Sequence, residues 1–382
     1  MMKHLKFLIG FILLVLTALA SFGTFSLPRV EKGDSDRFSA ERASKHIEVM
    51  SKVPHSVEHP VERAQVRRYL YDILEDMGGE PEIHEYDSIK FRYGGYFDIG
   101  NVYCQFDPLS GPADSYIMMV AHFDSRFRQT KLQKTVYSYG AGDDAYGVGS
   151  ILELLSQALK YRDEWHQGVR ILFTDSEENA LDGMKCAAKY NPELFENVGY
   201  VVNLESRGMN GPVLLFETSA NNENVLDLYS EAKAPYGYSL TTVVYRFLPN
   251  NTDFTIVKDS IPGINFSTID NINYYHVDDD NFENINLATI QHYGAQIEPI
   301  LEEFLTSGEY RDPDALKGDE DLVFFTVPIL GIFSFTKPQF TLFCSVVFAL
   351  FCLALVLNIS ARNATMKGVL KKALVIFLSS LL

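Results

Sequence analysis

Residues 116–125 read YIMMVAHFDS, an unbroken apolar run that leads into His122, Asp124 and Ser125. A strand that is apolar at every position is buried on both faces, as in a sheet covered by helices. Further short apolar runs lie at residues 169–174, 200–204, 213–216 and 261–266. Amphipathic helical periodicity is found at residues 148–161 and 287–305. The pattern predicts an α/β domain.

The composition narrows the class of protein. The chain has 382 residues, a formal net charge of −17 and 47% hydrophobic residues. This hydrophobic content argues against disorder, and the length suits one large domain with membrane segments. The acidic balance, without a basic stripe, argues against nucleic acid as a partner. The four cysteines form no CxxC pair, so the sequence indicates neither a cysteine zinc site nor a disulfide framework.

Two apolar segments indicate a membrane protein. The first follows Lys3 and Lys6, as in a signal anchor or signal peptide, and the second is long enough to span a bilayer. The expected organisation is a signal anchor or signal peptide at 1–23, a linker at 24–45, the folded domain at 46–310, a juxtamembrane segment at 311–336, a transmembrane helix at 337–359, a basic cytoplasmic loop at 360–372 and the start of a further membrane helix at 373–382.

Basic residues flank both apolar segments. Lys3 and Lys6 precede the first, and Arg362, Lys367 and Lys371 follow the second. The positive-inside rule puts both basic flanks in the cytoplasm. We therefore expect an integral membrane protein that contacts lipid through its N- and C-terminal helices. Its folded domain would lie on the extracytoplasmic or lumenal side.

Residues with metal-binding side chains follow the predicted strands. His122 ends one run, Glu177 and Glu178 follow another, and Glu205 ends a third. In open α/β sheets, ligand sites gather beyond the carboxyl ends of the strands. Imidazole and carboxylate ligands without thiolates suit catalytic zinc, and two zinc ions can share one carboxylate. A single buried histidine is more often structural, so the indication comes from the order and spacing of the whole set.

This set resembles, in full motif order, the co-catalytic di-zinc aminopeptidase family, which includes leucyl aminopeptidases, aminopeptidase Y, glutamate carboxypeptidases and glutaminyl cyclases. The membrane layout is most similar to that of the multi-spanning endoplasmic-reticulum metallopeptidases. The resemblance covers about residues 40–310. It implies the zinc exopeptidase fold, a mixed, largely parallel central sheet flanked by helices on both faces.

The resemblance also implies a role for each matched residue. Glu177 would be the general base, and two zinc ions would be bound by His122, Asp143, Glu178, Glu205 and His276. Asp143 would bridge the ions, with His122 and Glu205 on one zinc and Glu178 and His276 on the other. Asp124 would orient a zinc-bound imidazole, and Asp280 occupies the place of a carboxylate that commonly follows the last histidine. The peptide bond between Asp143 and Asp144 would be cis.

The expected activity is removal of N-terminal residues from peptides. Clustered carboxylates favour a cationic α-amine beside the metals. Arg207 favours the opposite direction, removal of C-terminal residues, because a guanidinium can bind a substrate carboxylate. A salt bridge between Arg207 and Asp279 or Asp280 is an equal alternative. Tyr275 is expected either to hydrogen-bond a substrate carbonyl or to pack.

Three other functions stay open. They are a carboxypeptidase of the same family, a glutaminyl cyclase with one zinc, and an inactive receptor-like ectodomain. The retained Glu177 and the complete ligand set argue against the inactive ectodomain. A peptide substrate is the expected partner, and the sequence predicts no oligomeric state.

Overall fold

The structure, a computed structural model, describes residues 2–23, 26–327, 329–361 and 365–379. The helices are α1 (Met2–Gly23), α2 (Ala40–Met50), α3 (Pro60–Asp76), α4 (Ala145–Ala158), α5 (Glu177–Ala180), α6 (Asp182–Tyr190), α7 (Glu223–Tyr229), α8 (Ser239–Tyr245), α9 (Phe254–Val257), α10 (Leu287–Thr306), α11 (Lys337–Ser360) and α12 (Met366–Ser379). The strands are β1 (Glu82–Lys90), β2 (Tyr96–Phe106), β3 (Tyr116–His122), β4 (Gln129–Lys131), β5 (Lys134–Val136), β6 (Gly168–Thr174), β7 (Val198–Ser206), β8 (Leu214–Thr218), β9 (Gly263–Thr268), β10 (Val323–Val327) and β11 (Gly331–Phe335).

Seven strands form the central sheet, in the order β1-β2-β6-β3-β7-β9-β8. The four inner strands β6, β3, β7 and β9 run parallel to one another. The outer pairings, β1 with β2, β2 with β6 and β8 with β9, are antiparallel. Because the inner strands are parallel, their carboxyl ends meet at one edge of the sheet.

Helices cover both faces of the sheet, and the side chains of β3 pack against both layers. Successive side chains of a strand point to opposite faces. Ile117, Met119 and Ala121 join the core formed with α2, α3, α4 and α10. Met118 and Val120 join a second core on the other face, formed with α6 and α9. The predicted fold class, a mixed sheet with helices on both faces, is therefore confirmed.

The predicted linker at residues 24–45 extends too far into the folded domain. Residues 24 and 25 lie outside the described residues, and α2 begins at Ala40. The side chains of Phe38, Ala40 and Ala43 are buried in the main core. A short helix such as α2 depends on tertiary packing for its stability, and this packing is not visible in the local sequence pattern.

The segment at 311–336 contains the β10–β11 hairpin, which contacts the domain. Phe324 is buried, and its backbone N–H donates a hydrogen bond to Ser239 Oγ at 2.7 Å. The predicted loop at 360–372 was wrong in its second half, because α12 begins at Met366. Arg362 and residues 380–382 of the predicted further helix lie outside the described residues.

The chain divides into two compact units, Met1–Ser334 and Phe335–Leu382. The second unit consists of α11 and α12. By length and composition, α11 is long and apolar enough to cross a membrane. The apolar part of α1, Leu8–Leu19, is shorter.

Candidate metal centre

The carboxyl edge of the parallel strands brings together residues that are far apart in sequence. His122 is the last residue of β3, and Glu205 lies one residue before the end of β7. Glu178 lies in the first turn of α5, directly after β6. Asp143 precedes α4, and its peptide bond to Asp144 is cis. His276 lies in the loop after β9, with a left-handed backbone at φ 64°.

The five predicted ligands form two groups that share Asp143. His122, Asp143 and Glu205 form one group, and Asp143, Glu178 and His276 form the other, with ligand atoms within 4.8 Å of one another in each. His122 Nε2 lies 3.2 Å from Asp143 Oδ1, and His276 Nε2 lies 3.2 Å from Asp143 Oδ2. One carboxylate therefore faces two imidazoles, one with each oxygen.

The donor atoms of this centre fit a divalent cation. Among the described residues, Asp143 Oδ2, Glu178 Oε1 and His276 Nε2 are buried without a hydrogen-bond partner. Burial and the charge of Asp143 contribute to a pKa of about 8 for Glu205, although His122 opposes the shift. Buried polar atoms without hydrogen bonds are unfavourable, and a cation bound between them would offset this cost. A set of imidazoles and carboxylates without thiolates matches zinc.

Glu177 lies beside the two groups but is not part of either. The residue is half-buried. Burial, reinforced by the charge of Glu205, raises the pKa of Glu177 well above its usual range. Its backbone N–H donates to Asp124 Oδ1 at 2.9 Å. Glu177 therefore lies next to the two ligand groups without being a member of either.

Asp124 supports both the imidazole and the glutamate pair. Its backbone carbonyl lies 3.0 Å from His122 Nδ1, and its Oδ1 lies 3.5 Å from the same nitrogen. Its carboxylate also accepts hydrogen bonds from the backbone N–H groups of Glu177 and Glu178. The stabilised imidazole would present Nε2 to the centre, as in other sites where a ring N–H is held by an oxygen.

Asp280 is buried behind the loop that carries Asp143. Its Oδ1 accepts a hydrogen bond from the Gly142 N–H at 2.6 Å, and its Oδ2 accepts one from Ser138 Oγ at 2.7 Å. Burial and the charge of Asp143 raise the pKa of Asp280 to about 7. The contacts show that Asp280 positions the Asp143 loop.

The contact between Arg126 and Glu178 was not predicted from the sequence. Its guanidinium donates to Glu178 Oε2 at 2.8 Å and to the Glu178 carbonyl at 2.9 Å. Because Oε2 is held by Arg126, Oε1 remains directed at His276, 3.0 Å away. Nothing in the local sequence marks this residue, because the pair spans 52 positions of the chain.

The two predicted substrate-binding residues lie next to each other. The Tyr275 ring stacks on the His276 ring with centroids 3.5 Å apart. The Arg207 guanidinium lies 6.0 Å from the Tyr275 centroid and 5.8 Å from that of Tyr245. Among described residues, no carboxylate lies within 4.0 Å of Arg207, and Asp279 instead pairs with Lys131. The alternative of a plain salt bridge for Arg207 is therefore wrong.

An apolar cavity of about 370 Å³ adjoins this pair. Arg207 lies at its wall, and the remaining wall is largely aliphatic and aromatic. The lining includes Leu214, Phe216, Leu240, Val244, Tyr245, Leu248, Ser267, Ile269 and Ile272. The cavity is large enough for a bulky apolar side chain, and Arg207 in its wall lies two residues after the candidate ligand Glu205.

Comparison with known proteins matches the chain to a peptidase family. The model of peptidase family M28 matches residues 101–301. "Endoplasmic reticulum metallopeptidase 1" of Homo sapiens is 31% identical over 260 residues, which are 66% of this chain and 27% of that protein. "Vacuolar membrane protease" of Saccharomyces cerevisiae is 27% identical over 54% of this chain and 20% of that protein. The chain thus spans about a quarter of the length of these relatives.

Solved structures share the fold. A glutaminyl cyclase from Porphyromonas gingivalis superposes with a TM-score of 0.57 at 18% identity, covering 70% of this chain and 99% of that one. An aminopeptidase from Aneurinibacillus sp. strain AM-1 superposes with a TM-score of 0.56 at 14% identity, covering 72% and 97%. Proteins of different activity share this architecture, so the fold alone does not assign a reaction.

Proposed function

The chain belongs to peptidase family M28, and on that premise we propose that it is a membrane-anchored, zinc-dependent aminopeptidase. The observation that carries the proposal is the pair of ligand groups joined by Asp143, with the free carboxylate of Glu177 beside them. His122 and Glu205 would hold one zinc, Glu178 and His276 the other, and Asp143 would bridge the two.

The chemistry follows from the positions of the side chains. Zinc held by these residues would supply Lewis acidity towards a water molecule and the scissile carbonyl oxygen. Glu177 would accept a proton from the attacking water and deliver it to the amine nitrogen as the C–N bond breaks. Asp124 would keep Glu177 in place through the backbone.

The charges around the centre favour a substrate amine. Glu177, Glu205 and Asp253 are neighbouring buried or half-buried carboxyl groups, and burial together with the charge of Asp253 raises the pKa of both Glu177 and Glu205. Such a group of carboxylates attracts the α-ammonium group of a peptide. The adjoining cavity would receive an apolar N-terminal side chain.

Arg207 supports a second candidate, a carboxypeptidase. Its guanidinium has no carboxylate partner among the described residues and could bind the C-terminal carboxylate of a peptide. Two peptide series decide between the directions, one blocked at the amine and one at the carboxyl. An aminopeptidase cleaves only the carboxyl-blocked series. Cleavage of the amine-blocked series that is lost in Arg207→Ala would establish the carboxypeptidase.

Membrane anchoring through α11 is part of the proposal. Its length and composition suit a bilayer span, and one similar protein is a vacuolar membrane protease by name. Lys367 and Lys371 after α11 support a cytoplasmic end, with the peptidase domain on the extracytoplasmic or lumenal side. Protease confined to the cytoplasmic face of sealed vesicles should leave the domain intact, and its digestion there would reverse the orientation.

The test of the activity is Glu177→Gln, measured with the full-length protein in detergent. The variant should bind zinc like the wild type but lose about 10²–10⁴-fold in kcat, the usual contribution of a general acid–base group. Glu85→Gln, at an exposed glutamate of β1, is the matched control and should keep full activity. Near-normal turnover in Glu177→Gln would exclude Glu177 as the base.

A further inference from the structure

The outer face of α8 is apolar where a surface helix is normally polar. Thr242 and Tyr245 face inward, and Thr242 Oγ1 donates to the Phe216 carbonyl at 2.9 Å. On the outer side, Leu240 is 70% exposed, and Phe247, just beyond the helix, is 84% exposed. The helix sequence SLTTVVY contains no charged residue. An amphipathic helix in water presents the opposite arrangement.

These side chains form one surface, which we name the α8 patch. It consists of Leu240, Val244, Phe247, Leu248, Ile269 and Ile272, each about half exposed or more. All except Phe247 also line the apolar cavity beside the metal centre. The patch is therefore the rim of that cavity. Contiguous exposed apolar surface of this kind marks an interaction site or a membrane contact.

The β10–β11 hairpin is a neighbour of α8, and it continues along the chain into the apolar helix α11. Tyr238, just before α8, forms a β-bridge with Phe325 of β10. After β11 the chain passes through Thr336 directly into α11. The turn of the hairpin carries Ile329, which is 92% exposed. The turn also lines a cavity with Ser26, three residues after the end of α1.

We propose that the α8 patch inserts into the interfacial layer of a phospholipid bilayer, the membrane in which α11 is anchored. The proposal rests on the anchoring stated above and extends it to a second contact. Apolar side chains at a bilayer surface are stabilised by burial among the acyl chains near the headgroups. The apolar cavity that contains Arg207 in its wall would then open beside lipid, so that peptides with apolar ends would reach it from the membrane surface.

The chain has a single tryptophan, Trp165, which is buried at 3% exposure. It serves as an internal reference that lipid does not reach. Phe247→Trp adds a second tryptophan at a position that tolerates it, because the side chain is exposed. Leu350→Trp adds one in α11, and Leu109→Trp adds one after β2. Leu109 is 70% exposed and lies at the edge of the sheet opposite the metal centre.

The measurement is tryptophan fluorescence of the full-length protein in nanodiscs that contain brominated phospholipid, compared with unbrominated discs. We expect the added emission to be quenched in Phe247→Trp and Leu350→Trp but not in Leu109→Trp. Quenching in Leu350→Trp together with unquenched emission in Phe247→Trp would overturn the α8 proposal. Unquenched emission in Leu350→Trp would contradict the anchoring of α11 in the bilayer, and the proposed contact of the α8 patch would fail with it.

Peptidase activity on a soluble peptide is measured on the same samples. An inactive wild type that still shows quenching at Phe247→Trp would contradict the proposed activity and leave the membrane contact standing. An active wild type without quenching at Phe247→Trp would support the proposed activity and contradict the membrane contact of the α8 patch. The two proposals therefore fail separately.

Discussion

Replacing Asp280 by alanine tests whether a buried carboxylate holds the loop that carries Asp143. Asp280 accepts one hydrogen bond from the Gly142 N–H and one from Ser138 Oγ. The alanine variant leaves both donors buried without a partner. Each unsatisfied donor costs about 1–3 kcal/mol, so the free energy of unfolding should fall by about 2–6 kcal/mol.

The effect on the metal site should be separable from the loss of stability. Removing a group that supports a metal ligand typically weakens metal affinity about 10–100-fold. Asp280→Asn keeps an acceptor for the Gly142 N–H and offers an amide donor to Ser138 Oγ. We therefore expect Asp280→Asn to bind zinc within about tenfold of the wild type, while Asp280→Ala should show the larger loss.

Zinc affinity is measured by competition with a chelating dye, and unfolding is followed by thermal denaturation of the same full-length samples. Asp278→Ala is the control in the same loop, because Asp278 is exposed and pairs with Lys131 at 2.8 Å. If Asp280→Ala bound zinc as tightly as Asp278→Ala, the proposed support of the Asp143 loop would be refuted.

Two further predictions concern the cavity and the core. Leu240→Trp should fill part of the cavity. We expect it to lower the ratio of kcat/KM for a substrate with a bulky apolar N-terminal residue to kcat/KM for one with N-terminal alanine about tenfold, since apolar pockets discriminate by such factors. An unchanged ratio would mean that the cavity does not bind the N-terminal side chain. Buried His292 accepts a hydrogen bond from the Val213 N–H and donates to the Ala234 carbonyl, and burial lowers its pKa to about 4. The unfolded state binds a proton at His292 below about pH 6.5, and the folded state does not. The free energy of unfolding of the wild type should therefore fall by up to about 3 kcal/mol relative to that of His292→Gln between pH 7 and pH 4. If denaturant titrations gave a constant difference in unfolding free energy across that range, a buried neutral His292 would be contradicted.

The inner strands and the convergence of the ligands were predictable from the sequence for a physical reason. A strand buried on both faces must be apolar throughout, so β3 is recognisable between residues 116 and 122 from its composition alone. A polar residue that directly follows such a strand must lie at the sheet edge. His122 and Glu205 are therefore placed by the strands that precede them.

The remaining features depend on contacts that are distant in sequence. Arg126 reaches Glu178 across 52 positions, and Ser138 reaches Asp280 across 142. The antiparallel strand β1 is partly exposed and lacks the continuous apolar run of the inner strands. The α2 helix is held by the core and by the ion pair between Arg42 and Glu153 at 2.6 Å. The local sequence pattern predicts neither these contacts nor the partly exposed strand.

The proposed sharing of Asp143 between the two ligand groups predicts two ions per chain. The direct test is elemental analysis of the purified full-length protein saturated with zinc and freed of excess metal. We predict two zinc ions per chain in the wild type and fewer than two in Asp143→Ala, which lacks the shared ligand. A single zinc at saturation in the wild type, with conversion of N-terminal glutamine in place of peptide hydrolysis, would contradict the di-zinc aminopeptidase.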